Sequence, residues 1–290
     1  MLTTNGIDDH GRLAALVVGI SDYGATAVRL PGCEEDARSW RDLAVQTYGA
    51  AEGDVRVLLD RRASRADVLE GLRWLLGRGA TCSRLLFCFA GHGTLVERPS
   101  PSRPEEGAVF DEALICYPSA AADPAAAYLF DDDVSLVVGQ AGTGASAARL
   151  TLVIDACHAG GFEREAPAGA AIARFRPAAG NAAGPRVAAA GVKLRRFGTL
   201  AAAPPDRPTG RAQPVLVAAA RSNQSAYDDR MDDGRHHGVF SFHATALLRA
   251  DRGLSYRALV ARVARELERQ FDQVPQLEGD SSRIGRAFTE

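Results

Sequence analysis

The sequence predicts an α/β protein, a three-layer α/β/α sandwich around a mostly parallel sheet. Three observations carry that reading. Short apolar runs at residues 13–20, 84–89 and 150–154 have the composition of strands buried on both faces. Segments with helical periodicity lie between such runs, so consecutive strands must join by crossovers that cover both faces of one sheet. The chain has 290 residues, 46% hydrophobic and 24% charged. That suits one large globular domain and excludes a disordered, collagen-like or coiled-coil protein.

The elements follow in order. LAALVVGI at 13–20 is the first strand, and Pro31-Gly32 breaks the chain after it. Residues 34–48 place Ala37, Trp40, Leu43 and Ala44 on one helical face, with Gly49 suited to the left-handed position past the helix end. A second strand is expected at 54–59. Ser64 is placed to cap a helix whose apolar stripe is Val68, Leu69, Leu72, Leu75 and Leu76. Further strands are expected at 84–89, 150–154 and 215–219, and helices at 239–249 and 255–271. Asp131 to Asp133 read as a cap for a helix beginning at Val134. Two stretches break the rhythm. Residues 97–107 read as an exposed loop, and 163–212, rich in Ala, Gly and Pro, as a flexible linker. The expected organisation is a tail at 1–12 and a single domain at 13–290. That domain divides into a larger part (13–162), the linker (163–212) and a smaller part (213–290).

Charge and composition restrict the partners. A net charge of −2 gives no footprint for nucleic acid. No apolar run reaches the roughly 20 residues a membrane span needs. The polar start, with Asp8 and Asp9, does not read as a secretory leader. Five scattered cysteines without a CxxC pair fit a reducing compartment, and a cytoplasmic location is expected. Of the 34 basic side chains, Lys193 is the one lysine.

Two strand ends carry the chemistry. The strand at 84–89 runs into Gly91-His92-Gly93, and that at 150–154 into Asp155-Ala156-Cys157-His158. Ligands bind beyond the carboxyl ends of parallel strands. Neighbouring strands would bring an imidazole and a thiol to one crevice, where the imidazole can take the thiol proton. The Gly93 and Cys157 N–H groups are natural donors to a developing oxyanion. Taken singly, such a cysteine is more often a small buried hydrophobe and such a histidine a turn residue.

The motifs together resemble the caspase-like cysteine peptidases (clan CD, family C14), most closely bacterial members of the metacaspase-type branch. They are Phe89-Ala90-Gly91-His92-Gly93, Asp155-Ala156-Cys157-His158-Ala159-Gly160 and Leu30-Pro31-Gly32-Cys33-Glu34-Glu35-Asp36-Ala37. Acidic segments at 110–114 and 130–133 and late motifs at 224–226 and 275–279 follow in the family's order. The resemblance implies a caspase-like fold and peptide hydrolysis through a thioester on Cys157, with His92 as general acid/base and His158 structural. It implies a substrate pocket at Asp155, Asp36 and Cys33. A carboxylate there favours a protein or peptide with Arg, less surely Lys, before the cut. Ala90 replaces the family's usual Ser. The chemistry needs no cofactor, but the resemblance implies a calcium site at Asp111, Asp131 and Asp132, with a further ligand near Glu163 and Glu165. It also implies self-cleavage in the linker, where Lys193, Arg195 and Arg196 are the candidates, and an activating partner protein. Asp228, Asp229, Asp232 and Asp233 read as a solvated loop, with a pocket rim or an extra metal site as the alternatives. A non-catalytic interaction module of the same fold is the alternative.

Overall fold

The computed structural model describes residues 11–24, 28–98, 109–118, 124–140, 149–157, 171–178, 193–195 and 213–290. Its strands and helices run in chain order as β1 (Leu13–Gly19), α1 (Cys33–Asp42), β2 (Val55–Leu59), α2 (Arg65–Gly77), β3 (Arg84–Ala90), β4 (Gly93–Arg98), β5 (Val109–Ile115), β6 (Tyr128–Phe130), α3 (Asp131–Gln140) and β7 (Leu150–Asp155). They continue as β8 (Ile172–Ala173), β9 (Lys193–Arg195), β10 (Val215–Ala218), β11 (Tyr227–Arg230), β12 (His236–Gly238), α4 (Val239–Ala250), α5 (Tyr256–Leu267), β13 (Gln276–Glu278) and α6 (Ser281–Ile284).

The central sheet has the order β13-β10-β7-β3-β1-β2. Its five strands from β10 to β2 are parallel and β13 closes one edge antiparallel. Strand β1 shows why this is a sandwich. Leu13, Ala15 and Val17 face one core with Trp40 of α1, Phe240 of α4 and Leu259 of α5. Ala14, Leu16 and Val18 face the other, with Leu72 of α2 and Val134 of α3. A strand that is apolar at every position, as β1 is, can only sit between two helical layers. Two small sheets flank the carboxyl ends of the central strands. One is β4-β5-β6 with β9 beside β5, and the other is β12-β11-β8.

The expected elements differ in detail. The helix expected over 34–48 is α-helical only for Cys33–Asp42 and ends in a π-helical turn, Leu43–Thr47, before Gly49 at φ +69°. Asp131 to Asp133 form the first turn of α3 rather than preceding it, and Asp133 Oδ2 accepts from Phe130 N (3.0 Å). The helix expected at 255–271 stops at Leu267.

The largest correction concerns the linker. Within 163–212, residues 171–178 are built into the fold, and Lys193–Arg195 pair in parallel with β5. Residues 171–178 are ordered by their partners. Their backbone takes hydrogen bonds from β11 and Gly93, and Arg174 is seated among carboxylates. Hydrophobic periodicity within the segment has no part in this, which is why the sequence reads as a connection.

Candidate active site

His92 and Cys157 sit level with each other for a topological reason. Strands β3 and β7 are parallel neighbours in the register Ala90↔Asp155, and each side chain comes two residues past its pair member. Gly91 N donates to the Asp155 carbonyl (3.3 Å), which ties the two turns together. The His92 N–H donates to the Tyr23 hydroxyl (2.8 Å), and the two rings lie 5.0 Å apart. A Cβ at Gly91 would fall 2.5 Å from that hydroxyl, so the position requires glycine. His92 Nε2 lies 2.8 Å from the Val28 carbonyl oxygen. A carbonyl only accepts, so Nε2 carries the proton and Nδ1 is left with a lone pair.

The cleft holds part of the chain itself. The Arg174 carbonyl oxygen accepts from Gly93 N (3.0 Å) and Cys157 N (3.3 Å). The Arg174 N–H donates to the Ala226 carbonyl (2.9 Å). Ahead of Arg174, β8 pairs antiparallel with β11 in the register Tyr227↔Ala173 and Asp228↔Ile172. After it, Phe175 bridges to Gly93 and Arg176 N donates to the Gly93 carbonyl (3.0 Å).

The Arg174 side chain fills a closed acidic pocket and is 0% exposed. One guanidinium nitrogen lies 2.5 Å from Asp36 Oδ2 and 3.3 Å from Asp228 Oδ2. The other lies 3.2 Å from Asp155 Oδ1 and 3.1 Å from the Asp155 carbonyl. The fork geometry matches a guanidinium better than a point charge. The carboxylates are in turn fixed from behind. Asp155 Oδ2 accepts from Ser241 Oγ (2.7 Å) and N (3.1 Å), Asp36 from Gly238 N, and Asp228 from Gly32 N (2.8 Å). Trp40 Nε1 donates to Ser241 Oγ (3.0 Å), anchoring that network in the core. A Cβ at Gly238 would lie 2.6 Å from the Arg174 guanidinium carbon and would collide with Asp155 Oδ2. Cys33 opens α1 in a small apolar cluster with Leu30 and Ala90, against which Ile172 packs.

Burial sets the protonation states. It lowers His92 to about 4, with the Arg174 guanidinium adding to the effect. It pushes the Cys157 thiol up to about 12. Asp155 is raised to about 6, by burial first and by Asp36 as well, against the pull of Arg174. With the cleft filled, the pair at neutral pH is therefore a neutral imidazole beside a neutral thiol.

A family model described as the caspase domain matches residues 12–283. The chain belongs to the caspase-domain family of peptidases, C14. Among its relatives, Metacaspase-7 of Arabidopsis thaliana is 32% identical over 157 residues, covering 52% of this chain and 36% of that protein. Metacaspase-1 of Pyricularia oryzae is 25% identical over 298 residues, covering 92% of this chain and 71% of that protein. The chain thus spans little more than a third of the plant relative's length. The crystal structure of protein GSU0716 from Geobacter sulfurreducens superposes with a TM-score of 0.62 over 96% of this chain and 98% of that one. At 19% identity that likeness establishes the fold.

Within this caspase-domain chain, the remaining candidates stand on other elements or outside the described residues. Asp111 is buried on β5, while Asp131 and Asp132 open α3 at the end of β6. Asp132 N donates to Asp131 Oδ1 (2.9 Å). Among the described residues no three His, Cys, Asp or Glu side chains gather in a form that could hold a metal ion. Glu163, Glu165, His158 and Arg196 lie outside the described residues. Lys193 and Arg195 stand on β9, with Arg195 opposite Asp111, in a different sheet from β8. No helix of the described residues is long and apolar enough to cross a membrane.

Sequence reasoning missed three participants. Arg174 lay hidden in the linker. Asp228, grouped with three neighbouring acids as a loop or pocket rim, reaches the Arg174 guanidinium and accepts from Gly32 N. Tyr23 and Val28 act through a hydroxyl and a backbone carbonyl, and no side-chain motif advertises those roles.

Proposed function

We propose that the chain is a cysteine endopeptidase that hydrolyses the bond following Arg. The observation that carries this reading is the buried Arg174, whose guanidinium is forked among Asp36, Asp155 and Asp228 while its carbonyl meets two N–H donors beside Cys157. A substrate arginine takes the same place. His92, its proton held on Nε2 by Val28, uses Nδ1 to take the Cys157 proton as Sγ attacks the carbonyl carbon. Gly93 and Cys157 N–H groups stabilise the oxyanion. His92 then delivers the proton to the departing amine, and water hydrolyses the thioester. Every step runs on the chain's own residues.

Lysine is the weaker substrate in this reading, because one ammonium cannot satisfy two forks at once. Incubating the protein with fluorogenic peptides ending in Arg, Lys or Asp, with and without Ca²⁺, tests it. Arg cleavage abolished by Cys157→Ala is the expected result. Cleavage after Asp overturns the pocket. Inertness toward all three peptides favours a non-catalytic interaction module. A rise with Ca²⁺ would direct attention to the face carrying Asp111, Asp131 and Asp132.

A further inference from the structure

We propose that His236 and His237, on β12, are positioning residues for arginine recognition: each grips the outer oxygen of one pocket carboxylate and so aims the inner oxygen at the guanidinium. The inference rests on the peptidase reading above and adds to it two side chains that act through the carboxylates.

The three pocket carboxylates divide their oxygens in one pattern. Asp155 turns Oδ1 to the guanidinium (3.2 Å) and Oδ2 to Ser241 Oγ (2.7 Å). Asp228 turns Oδ2 to the guanidinium (3.3 Å) and Oδ1 to His236 Nδ1 (3.2 Å). Asp36 turns Oδ2 to the guanidinium (2.5 Å), and its Oδ1 lies 3.4 Å from His237 Nδ1. The carboxylate torsion of an aspartate is soft, so a donor on one oxygen fixes where the other points. Ser241, itself bonded to Trp40, does this for Asp155. The two histidines do it for the other pair. Backbone donors assist without marking out the outer oxygen. Gly238 N meets both oxygens of Asp36 (3.0 and 2.9 Å), and Gly32 N meets the inner oxygen of Asp228 (2.8 Å).

His237 is placed for this work. Its side chain is only 6% exposed, yet carboxylates face both of its ring nitrogens. Beyond the Asp36 contact, Nε2 lies 3.0 Å from Asp233 Oδ2. Carboxylates only accept, so both nitrogens carry protons and the ring is an imidazolium. Burial opposes that charge, and Asp36 and Asp233 outweigh it, raising His237 above its ordinary value. Whenever the guanidinium leaves, His237 is a cation that stays among the carboxylates. Its surroundings hold it in place. Asp233 Oδ1 accepts from Arg235 N (2.9 Å), and the Phe242 ring lies 5.2 Å from the imidazole. A Cβ at Gly32 would fall 2.6 Å from His237 Cα, so the start of α1 packs directly on β12.

Steady-state kinetics with Arg and Lys peptides test the proposal. His237→Leu should raise KM for Arg peptides about tenfold, as the loss of one charge-assisted hydrogen bond would, with kcat little changed. His236→Leu should act likewise through Asp228. The preference for Arg over Lys should fall in both, because a carboxylate free to turn serves a point charge as well as a fork. His237→Gln, which keeps a donor, should recover part of the KM. Ser64→Ala, at the start of α2, should leave KM and preference as in the parent, which separates positioning from lost stability. Unchanged KM and preference in either folded variant, or a fall in kcat alone, would overturn the proposal. Asp233→Ala removes the outer anchor of the ring from the surface and should raise KM by a smaller factor. Should His237→Leu fail to fold, an unchanged KM in Asp233→Ala overturns the role of His237. The pocket is also read without turnover. The concentration of agmatine, a small guanidine, that gives half the thermal shift of Arg174→Gln should rise about tenfold when His237→Leu is added. An equal concentration would overturn the proposal. The same rise in a chain that hydrolyses no peptide would sink the peptidase reading and leave the positioning role standing.

Discussion

At Gly238 the pocket wall is a bare backbone, because a methyl group there would enter the space of the guanidinium and of Asp155 together. Gly238→Ala should therefore lower kcat/KM for Arg peptides by about 100-fold, mainly through KM, since overpacking a closed site costs roughly 1–3 kcal/mol. Steady-state kinetics with Arg peptides read this, and an unchanged KM would refute it. The charged groups make a second prediction. Below about pH 6, Asp155 takes up a proton and its hold on the guanidinium weakens. The kcat/KM for Arg peptides should then show an acid limb near 6, and Asp155→Asn should be slow across the whole range. His92 acts on stability in the other sense. Its folded value of about 4 lies below the ordinary 6.5, so between those values the unfolded chain binds a proton that the folded chain refuses. Stability should fall as pH drops through that window, by up to about 3 kcal/mol. Urea unfolding of Cys157→Ala with and without His92→Gln isolates it, because the opposite drift from Asp155 is common to both proteins. The dyad candidates were legible because their glycine-flanked motifs end strands. Arg174 was not, because its meaning depends on three carboxylates that stand 138, 19 and 54 residues away.

The elements were legible where their own side chains bury them. β1, β3 and β7 are apolar at nearly every position, and α2 carries its stripe and its cap. Ser64 accepts from Asp67 N (3.2 Å), and Asp67 returns the bond to Ser64 N (3.2 Å). Ser64→Ala should cost about 1 kcal/mol in urea unfolding, with peptidase kinetics unaffected. β8 and the short strands of the flanking sheets escaped the same reading. They carry two to seven residues each and are held by backbone bonds, β8 and β9 to strands distant in sequence, which leave no period to detect. The π-helical turn after α1 escaped for a related reason, since its apolar residues fit the α period that the sequence suggests.

For the molecule as a whole, the pocket is a stability element as well as a recognition element. Three carboxylates face one cation there, and removing that cation leaves buried like charges, at a cost of about 3–5 kcal/mol. A chain emptied of Arg174 should therefore recover stability from any small guanidine. Agmatine should raise the melting temperature of Arg174→Gln, by an amount approaching about 2.7 kcal/mol at a hundred times its Kd. Uncut Cys157→Ala, its pocket already filled, should not respond.

The sheet order has a last consequence. β10 pairs with β7 across the long connection between them, and Trp40 ahead of that connection bonds Ser241 beyond it. Phe288, near the far end of the chain, is wedged against Trp40 and Tyr48. A chain nicked by any protease between β7 and β10 would leave two polypeptides that stay one particle. Such a nick would not change what the molecule weighs in solution. A denaturing gel would reveal it, and a sizing column would pass it by.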